Sequence, residues 1–141
     1  MDVAAILKRS VEQHASDVFI VTGSQISFKI NGEIGPGSEQ KLAPEDTQEI
    51  LREIYSLAHR ESVFEEFLQH GDDDFSFSLT GIGRFRVSAY RQRGSLSCVI
   101  RVVLFELPDY RTLGIPDIVM DFSKRTKGLV LVTGPAGSGK S

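Results

Sequence analysis

The sequence predicts an α+β domain that leads through a connector into the first strand and phosphate-binding loop of a second, α/β unit. Two observations carry this reading. Apolar residues recur at helical spacing within 2–14, 44–55 and 61–69, but from residue 74 onward they alternate strictly with polar ones, the pattern of half-buried strands. Much later, the nearly continuous apolar run Gly128-Leu129-Val130-Leu131-Val132-Thr133 feeds into a glycine-rich octapeptide, as a buried parallel strand feeds into a loop that cradles phosphate.

Taken in order, Val3, Ile6, Leu7, Ser10, Val11 and His14 form one stripe of a surface-packed helix, with Lys8, Arg9, Glu12 and Gln13 outside it and His14 closing it. Asp17-Val18-Phe19-Ile20-Val21 and Ile26-Ser27-Phe28-Lys29-Ile30 read as strands. The second ends in Asn31-Gly32, a pair that readily supplies the positive backbone angles of a tight turn. Gly35-Pro36-Gly37-Ser38 is expected to be a loop that breaks the chain. Pro44 suits a first helical turn, Glu45 and Asp46 suit its electropositive end, and Ile50, Leu51, Ile54 and Tyr55 form its buried stripe, although Ala43 is a poor cap. A short helix over 61–69 aligns Val63, Phe64, Phe67 and Leu68 and stops at Gly71.

Phe75, Phe77 and Leu79 then alternate with Asp74, Ser76 and Ser78, and Gly81-Ile82-Gly83 turns the chain into Phe85, Val87 and Ala89, which alternate with Arg84, Arg86, Ser88 and Tyr90. A third strand is expected from about 95 to 104. Folding the last two strands about Arg93-Gly94 sets Phe85 opposite Val102, Val87 opposite Ile100 and Ala89 opposite Cys98. A slip of one residue would mix apolar and polar faces, so the alternation determines this parity more firmly than the turn. Leu107-Pro108, Gly114-Ile115-Pro116 and the basic run Lys124 to Lys127 bracket a connector with a short helix at 116–123. The expected division is a first domain over 1–107, a linker over 108–127 and the start of a second domain over 128–141.

The 141 residues carry a net charge of −3 and 40% hydrophobic side chains, which excludes collagen, disordered tails and disulfide-stapled miniproteins. That charge conceals a division: residues 1–83 sum to −9 and residues 84–141 to +6. A basic excess so confined suggests a local anion site in place of a nucleic-acid or membrane-surface coat. The lone Cys98 lies in the apolar alternation with Leu96 and Ile100 and reads as a small core side chain, implying a reducing compartment. The first twenty residues resemble neither an export signal nor an anchor, and no stretch approaches 18 apolar residues.

Gly134-Pro135-Ala136-Gly137-Ser138-Gly139-Lys140-Ser141 matches the phosphate-binding loop, or Walker A, pattern at every fixed position. Its glycines allow backbone amides to curl around β- and γ-phosphates. Lys140 supplies charge to the same oxygens, and the Ser141 hydroxyl is suited to magnesium. The loop works against the N-terminus of a following helix, so these 141 residues alone are expected to bind neither ATP nor Mg2+ productively and to be inactive.

A second constellation is basic. Arg84 and Arg86 share a strand face, Arg91 and Arg93 lie near the turn, and Arg101 falls opposite Arg86. Like charges facing each other destabilise a sheet unless an acid or an anion compensates. Two readings stay open: internal salt bridges to Asp72, Asp73 and Asp74, or a patch that reads phosphate through arginine forks. His14, His59 and His70 lack metal-ligand spacing, and the phenylalanines 64, 67, 75, 77 and 85 lie at packing periods.

Ala15-Ser16-Asp17, Asn31-Gly32, Asp74-Phe75-Ser76-Phe77, Gly83-Arg84-Phe85-Arg86-Val87, Gln92-Arg93-Gly94 and the run Gly128 to Gly134 together resemble the PilT-type retraction ATPases of type IV pili, within the secretion ATPase superfamily. The resemblance spans the chain. It implies a PAS-like N-terminal domain with an antiparallel sheet and flanking helices ahead of a RecA-like ATPase domain, a cytoplasmic homo-hexamer attached to the inner-membrane pilus machinery, and no nucleic-acid partner. It implies ATP hydrolysis that powers pilus retraction and twitching motility, with pilus assembly or type II secretion as alternatives. It further implies that Arg86 and Arg101, then Arg84 and Arg93, close over nucleotide phosphates. The 141-residue segment would then be a non-catalytic module, a monomer or weak oligomer; a purely regulatory or assembly domain is the other alternative. Ala136 stands where many members have Thr, and the Asp-rich, Walker B and His-containing boxes are not among these residues.

Overall fold

A computed structural model of the chain describes residues 1–103 and 109–134. The chain divides into two units, Met1–Phe105 and Glu106–Ser141. The first begins with helix α1 (Val3–Glu12), whose open amides are satisfied twice: Ala5 N–H donates to the Asp2 carboxylate at 2.9 Å, and Val3 N–H donates to Glu53 at 3.0 Å. Strands β1 (Asp17–Val21), β2 (Gln25–Ile30) and β3 (Glu33–Lys41) follow, then helices α2 (Pro44–Leu57) and α3 (Glu61–His70), and finally β4 (Asp72–Leu79), β5 (Gly83–Gln92) and β6 (Ser95–Val103). Ala43 offers α2 no side-chain cap; Asp46 closes that end by accepting from the Ala43 amide at 2.7 Å.

All six strands join one antiparallel sheet in the order β3-β2-β1-β6-β5-β4. Strand β1 is thus inserted between β2 and β6, and the distant ends of the domain pair through it. One face is apolar: Phe28, Val18, Ile100, Val87 and Phe75 follow one another across five strands. The buried stripes of α1, α2 and α3 join these side chains in a single core centred on Tyr55, Phe67, Phe85 and Leu51. The opposite face carries the polar half of the alternation and, among the described residues of this unit, no helix.

The expected hairpin forms with the expected parity. Phe85 pairs with Val102, Val87 with Ile100 and Ala89 with Cys98, about the turn Arg93-Gly94. Arg93 and Gly94 have φ of 50° and 84°, and Asn31 and Gly32 have 51° and 87°, the paired positive values of tight hairpin turns.

The segment Gly35-Pro36-Gly37-Ser38, expected to be a loop, is instead part of β3. The strand lies at the sheet edge, where a proline's missing N–H breaks no ladder bond, and its pairing to β2 shifts register between Gln25 and Ser27. Gly37 suits close packing on Phe28, since a Cβ there would lie 3.1 Å from that ring. Arg9 secures the edge from α1 by donating to the Gly37 carbonyl. His14 and His59 follow α1 and α2 with φ of 55° and 56°, and the amide pairs His14/Ala15 and His59/Arg60 donate back to Val11/Ser10 and Ser56/Tyr55. These are Schellman closures with histidine at the position glycine usually takes.

The second unit contains α4 (Asp117–Met120) and a 3-10 turn (Asp121–Lys124), held locally by Tyr110 Oη donating to Asp117 at 2.6 Å and by Lys124 paired with Asp121. The strand expected over 128–133 is not formed: these residues carry no ladder and Leu129 to Val132 are exposed. A strand needs a partner for its amides and carbonyls, and among the described residues this unit contains no other strand.

Candidate functional site

The open face of the sheet places charged side chains in one transverse row. Register pairs Lys29 on β2 with Asp17 on β1, Asp17 with Arg101 on β6, Arg101 with Arg86 on β5, and Arg86 with Ser76 on β4. Two arginines therefore face each other at the centre, with an acid on each flank. Arg86 reaches toward β4, where Nε and Nη2 donate to the two Asp74 oxygens at 2.9 and 3.1 Å, a fork-to-fork pair. Arg101 reaches the other way, and its Nε donates to Asp17 at 3.3 Å. Between them lies a shallow depression of about 260 Å3 lined by Asp17, Asp74, Arg86, Ser88, Val99 and Arg101.

The two carboxylates differ. The Asp74 side chain is 51% exposed, whereas that of Asp17 is 13% exposed and also accepts from Ser16 Oγ at 2.9 Å. The Arg86 hydrogen bonds hold the Asp74 carboxyl below the usual carboxylate range, and Asp74 in turn raises the Arg86 guanidinium. Both shifts stabilise the charged forms, so the pair stays ionised at neutral pH.

The other expected site residues separate. Arg84 lies on the same face, exposed, between Ser78 and Val103. Arg93 occupies the hairpin turn seven residues along β5 from Arg86, roughly 20 Å away at strand spacing, and does not converge with the pair. Arg91 closes a helix: its guanidinium donates to Leu68 O and its amide to Gly71 O at 2.7 Å, where α3 ends. Of the three consecutive acids, Asp74 compensates Arg86, while Asp73 turns inward to accept from Tyr55 Oη at 2.9 Å and from Arg60 Nη2 at 3.1 Å. Gly134 is exposed, and the remaining loop residues Pro135, Ala136, Gly137, Ser138, Gly139, Lys140 and Ser141 lie outside the described residues.

Asp17 is the functional-face residue that sequence reasoning missed. Its strand was legible, but its pairing with Arg101, 84 positions away, depends on β1 entering the sheet beside β6.

A profile of the type II/IV secretion system protein family matches residues 1–141. The chain belongs to this family. It is 34% identical over 141 residues to the type IV pilus ATPase PilU of Pseudomonas aeruginosa, covering all of this chain and 36% of that protein. It is also 34% identical to the type IV pilus retraction ATPase PilT of the same organism, of which it covers 40%. The family member therefore spans well under half the length of these relatives. Among solved structures, a crystal structure of the pilus retraction motor PilT with bound ADP superposes with a TM-score of 0.75 at 38% identity, over 99% of this chain and 40% of that one. The ATPase DotB of Legionella pneumophila has the same fold, with a TM-score of 0.77 at 23% identity over 97% of this chain and 38% of that one. No helix among the described residues is long and apolar enough to cross a membrane.

Proposed function

We propose that this chain is the N-terminal part of an ATP-hydrolysing motor that powers type IV pilus retraction and twitching motility. The observation that carries the reading is the match of the whole chain, at one third identity, to two type IV pilus ATPases. Supporting it, residues 134–141 keep every fixed position of the Walker A pattern. On this reading the first unit is a PAS-like domain covering 1–107, 108–127 is a linker, and 128–141 opens a RecA-like domain. The assembled motor is a cytoplasmic homo-hexamer held at the inner membrane by the pilus machinery.

In that motor the amides of Gly134 to Gly139 would hold the phosphates of ATP, Lys140 would neutralise them and the Ser141 hydroxyl would hold Mg2+. Magnesium held there would supply positive charge to the triphosphate. Arg86 and Arg101, with Arg84 beside them, present forks suited to phosphoryl oxygens when the domain turns toward nucleotide; Arg93 is a secondary contact. The 141 residues by themselves are inactive.

The test is Mg2+-dependent ATP turnover together with native mass, on the full-length protein and on the 141-residue chain. A six-subunit species that hydrolyses ATP, loses turnover on Arg86→Gln or Arg101→Gln by at least tenfold and keeps its melting temperature supports the proposal. Absence of turnover in the full-length oligomer refutes it. Equal losses of turnover and folded fraction in the arginine variants would make those residues structural.

A further inference from the structure

The two central arginines are not equivalent. Arg86 is held by two bonds: its Nε and Nη2 donate one to each oxygen of Asp74. Arg101 is tethered only through Nε to Asp17, and among the described residues its two Nη groups make no hydrogen bond. The tethers differ as well. Asp17 is nearly enclosed, fixed by Ser16 and facing Lys29 across the β1–β2 ladder. Asp74 stands at the sheet edge with half its side chain in water, on the outermost strand. A carboxylate with two oxygens on an arginine fork occupies the same donors as two oxygens of a phosphoryl group.

We infer that Asp74 is a removable latch on Arg86, and that Arg101, positioned by the enclosed Asp17, is the arginine that an incoming phosphate meets first. This rests on reading the Arg86–Arg101 pair as a phosphate reader. In the resting domain Asp74 cancels the charge of Arg86, which lets two facing guanidinium groups coexist on the sheet. When a polyphosphate enters the depression beside Arg101, it competes with Asp74 for the Arg86 fork. Arg86 then swings from β4 toward β6, and the released carboxylate is solvated at the edge. Asp74 is thus a positioning residue: it sets how much anion charge is needed to recruit Arg86, and it discriminates against singly charged anions that cannot outcompete a carboxylate.

The experiment titrates inorganic tripolyphosphate into the isotopically labelled chain at fixed ionic strength and follows the Nε–Hε resonances of Arg86 and Arg101, so that binding elsewhere does not enter the readout. Asp74→Asn should tighten binding roughly two- to fivefold, the range set by the worth of an exposed ion pair. Asp74→Glu, which keeps the charge, should return the affinity to within about twofold of wild type, a rescue that a purely structural role does not predict. Arg101→Gln should abolish the Arg86 response. If Asp74→Asn binds no tighter while the Arg101 resonance still shifts, the latch is overturned and the phosphate reading survives. If neither arginine responds in wild type or in Asp74→Asn, the phosphate reading itself fails and takes the latch with it. Asp74→Ser removes the same charge with a smaller side chain and replaces Asp74→Asn if that variant does not fold.

Discussion

Asp73 and Asp74 are neighbours of the same charge, and replacing each by asparagine should cost very different amounts of stability. Asp73 faces the core side of β4, where its side chain is 18% exposed and accepts from Tyr55 Oη at 2.9 Å and from Arg60 Nη2 at 3.1 and 3.4 Å. Tyr55 is fully buried, and Arg60 lies 4.8 Å above the Phe75 ring. In Asp73→Asn the carboxylate charge is lost and one acceptor oxygen becomes an NH2 facing Arg60 Nη2, so one contact to Arg60 is lost and the bonds that remain weaken. Such bonds are worth about 1.5–3 kcal/mol each. Arg60 is one third exposed and recovers part of the loss through water, which leaves a destabilisation of about 2–3 kcal/mol. With a slope of about 1.5 kcal/mol per molar urea, the unfolding midpoint followed by far-ultraviolet circular dichroism should fall by about 1.5 M. Asp74→Asn should lower that midpoint by no more than about 0.6 M, because its carboxylate and Arg86 are both open to water and an exposed pair is worth about 0.2–1 kcal/mol. Equal midpoints for the two variants, or a larger loss at Asp74, would refute the assignment of Asp73 to the interior network and Asp74 to the anion-facing surface.

Two further outcomes follow from the fold. His14→Gly and His59→Gly should each stabilise the domain by about 0.5–1 kcal/mol in the same urea assay, since each relieves a side chain at positive φ in a Schellman closure; a loss of stability would mean that the imidazoles contribute packing that outweighs the strain. Cys98 is fully buried, and burial pushes its thiol up to about 12. The neutral form is therefore favoured in the fold: stability is unaffected below the unfolded thiol's range and falls as pH rises from about 9 toward 12, by up to about 4 kcal/mol. Cys98→Ala should flatten this alkaline limb, and the native thiol should resist disulfide reagents at pH 8 without denaturant; rapid labelling there would place Cys98 outside the core.

Much of the site was legible because its determinants are local. The alternation of Arg84, Arg86 and Ser88 with Phe85, Val87 and Ala89 fixes which side chains share a face, and Arg93-Gly94 sets a two-residue turn, so the opposition of Arg86 and Arg101 follows from adjacent strands. Alternation with Phe75 already puts Asp73 on the inner face; the choice between Asp72 and Asp74 as compensating acid was made only by the β4–β5 register, which pairs Asp72 with Tyr90 and leaves Asp74 beside Arg86. The glycine and proline cluster of β3 misled for a physical reason: these residues disfavour a central strand, and only the sheet order reveals that this one is an edge.

What the amino-acid sequence determined by itself is therefore the set of periods, turns and parities, together with the Walker A pattern at residues 134–141, because each arises from interactions within a few residues. The tertiary structure alone decided that β1 lies between β2 and β6. That insertion brings Asp17 to Arg101 across 84 positions and gives the two facing arginines unequal tethers. Strand alternation specifies which way a side chain points but not which distant strand lies beside it, and the buried row Phe28, Val18, Ile100, Val87 and Phe75 selects that neighbour by closing one apolar face under three helices.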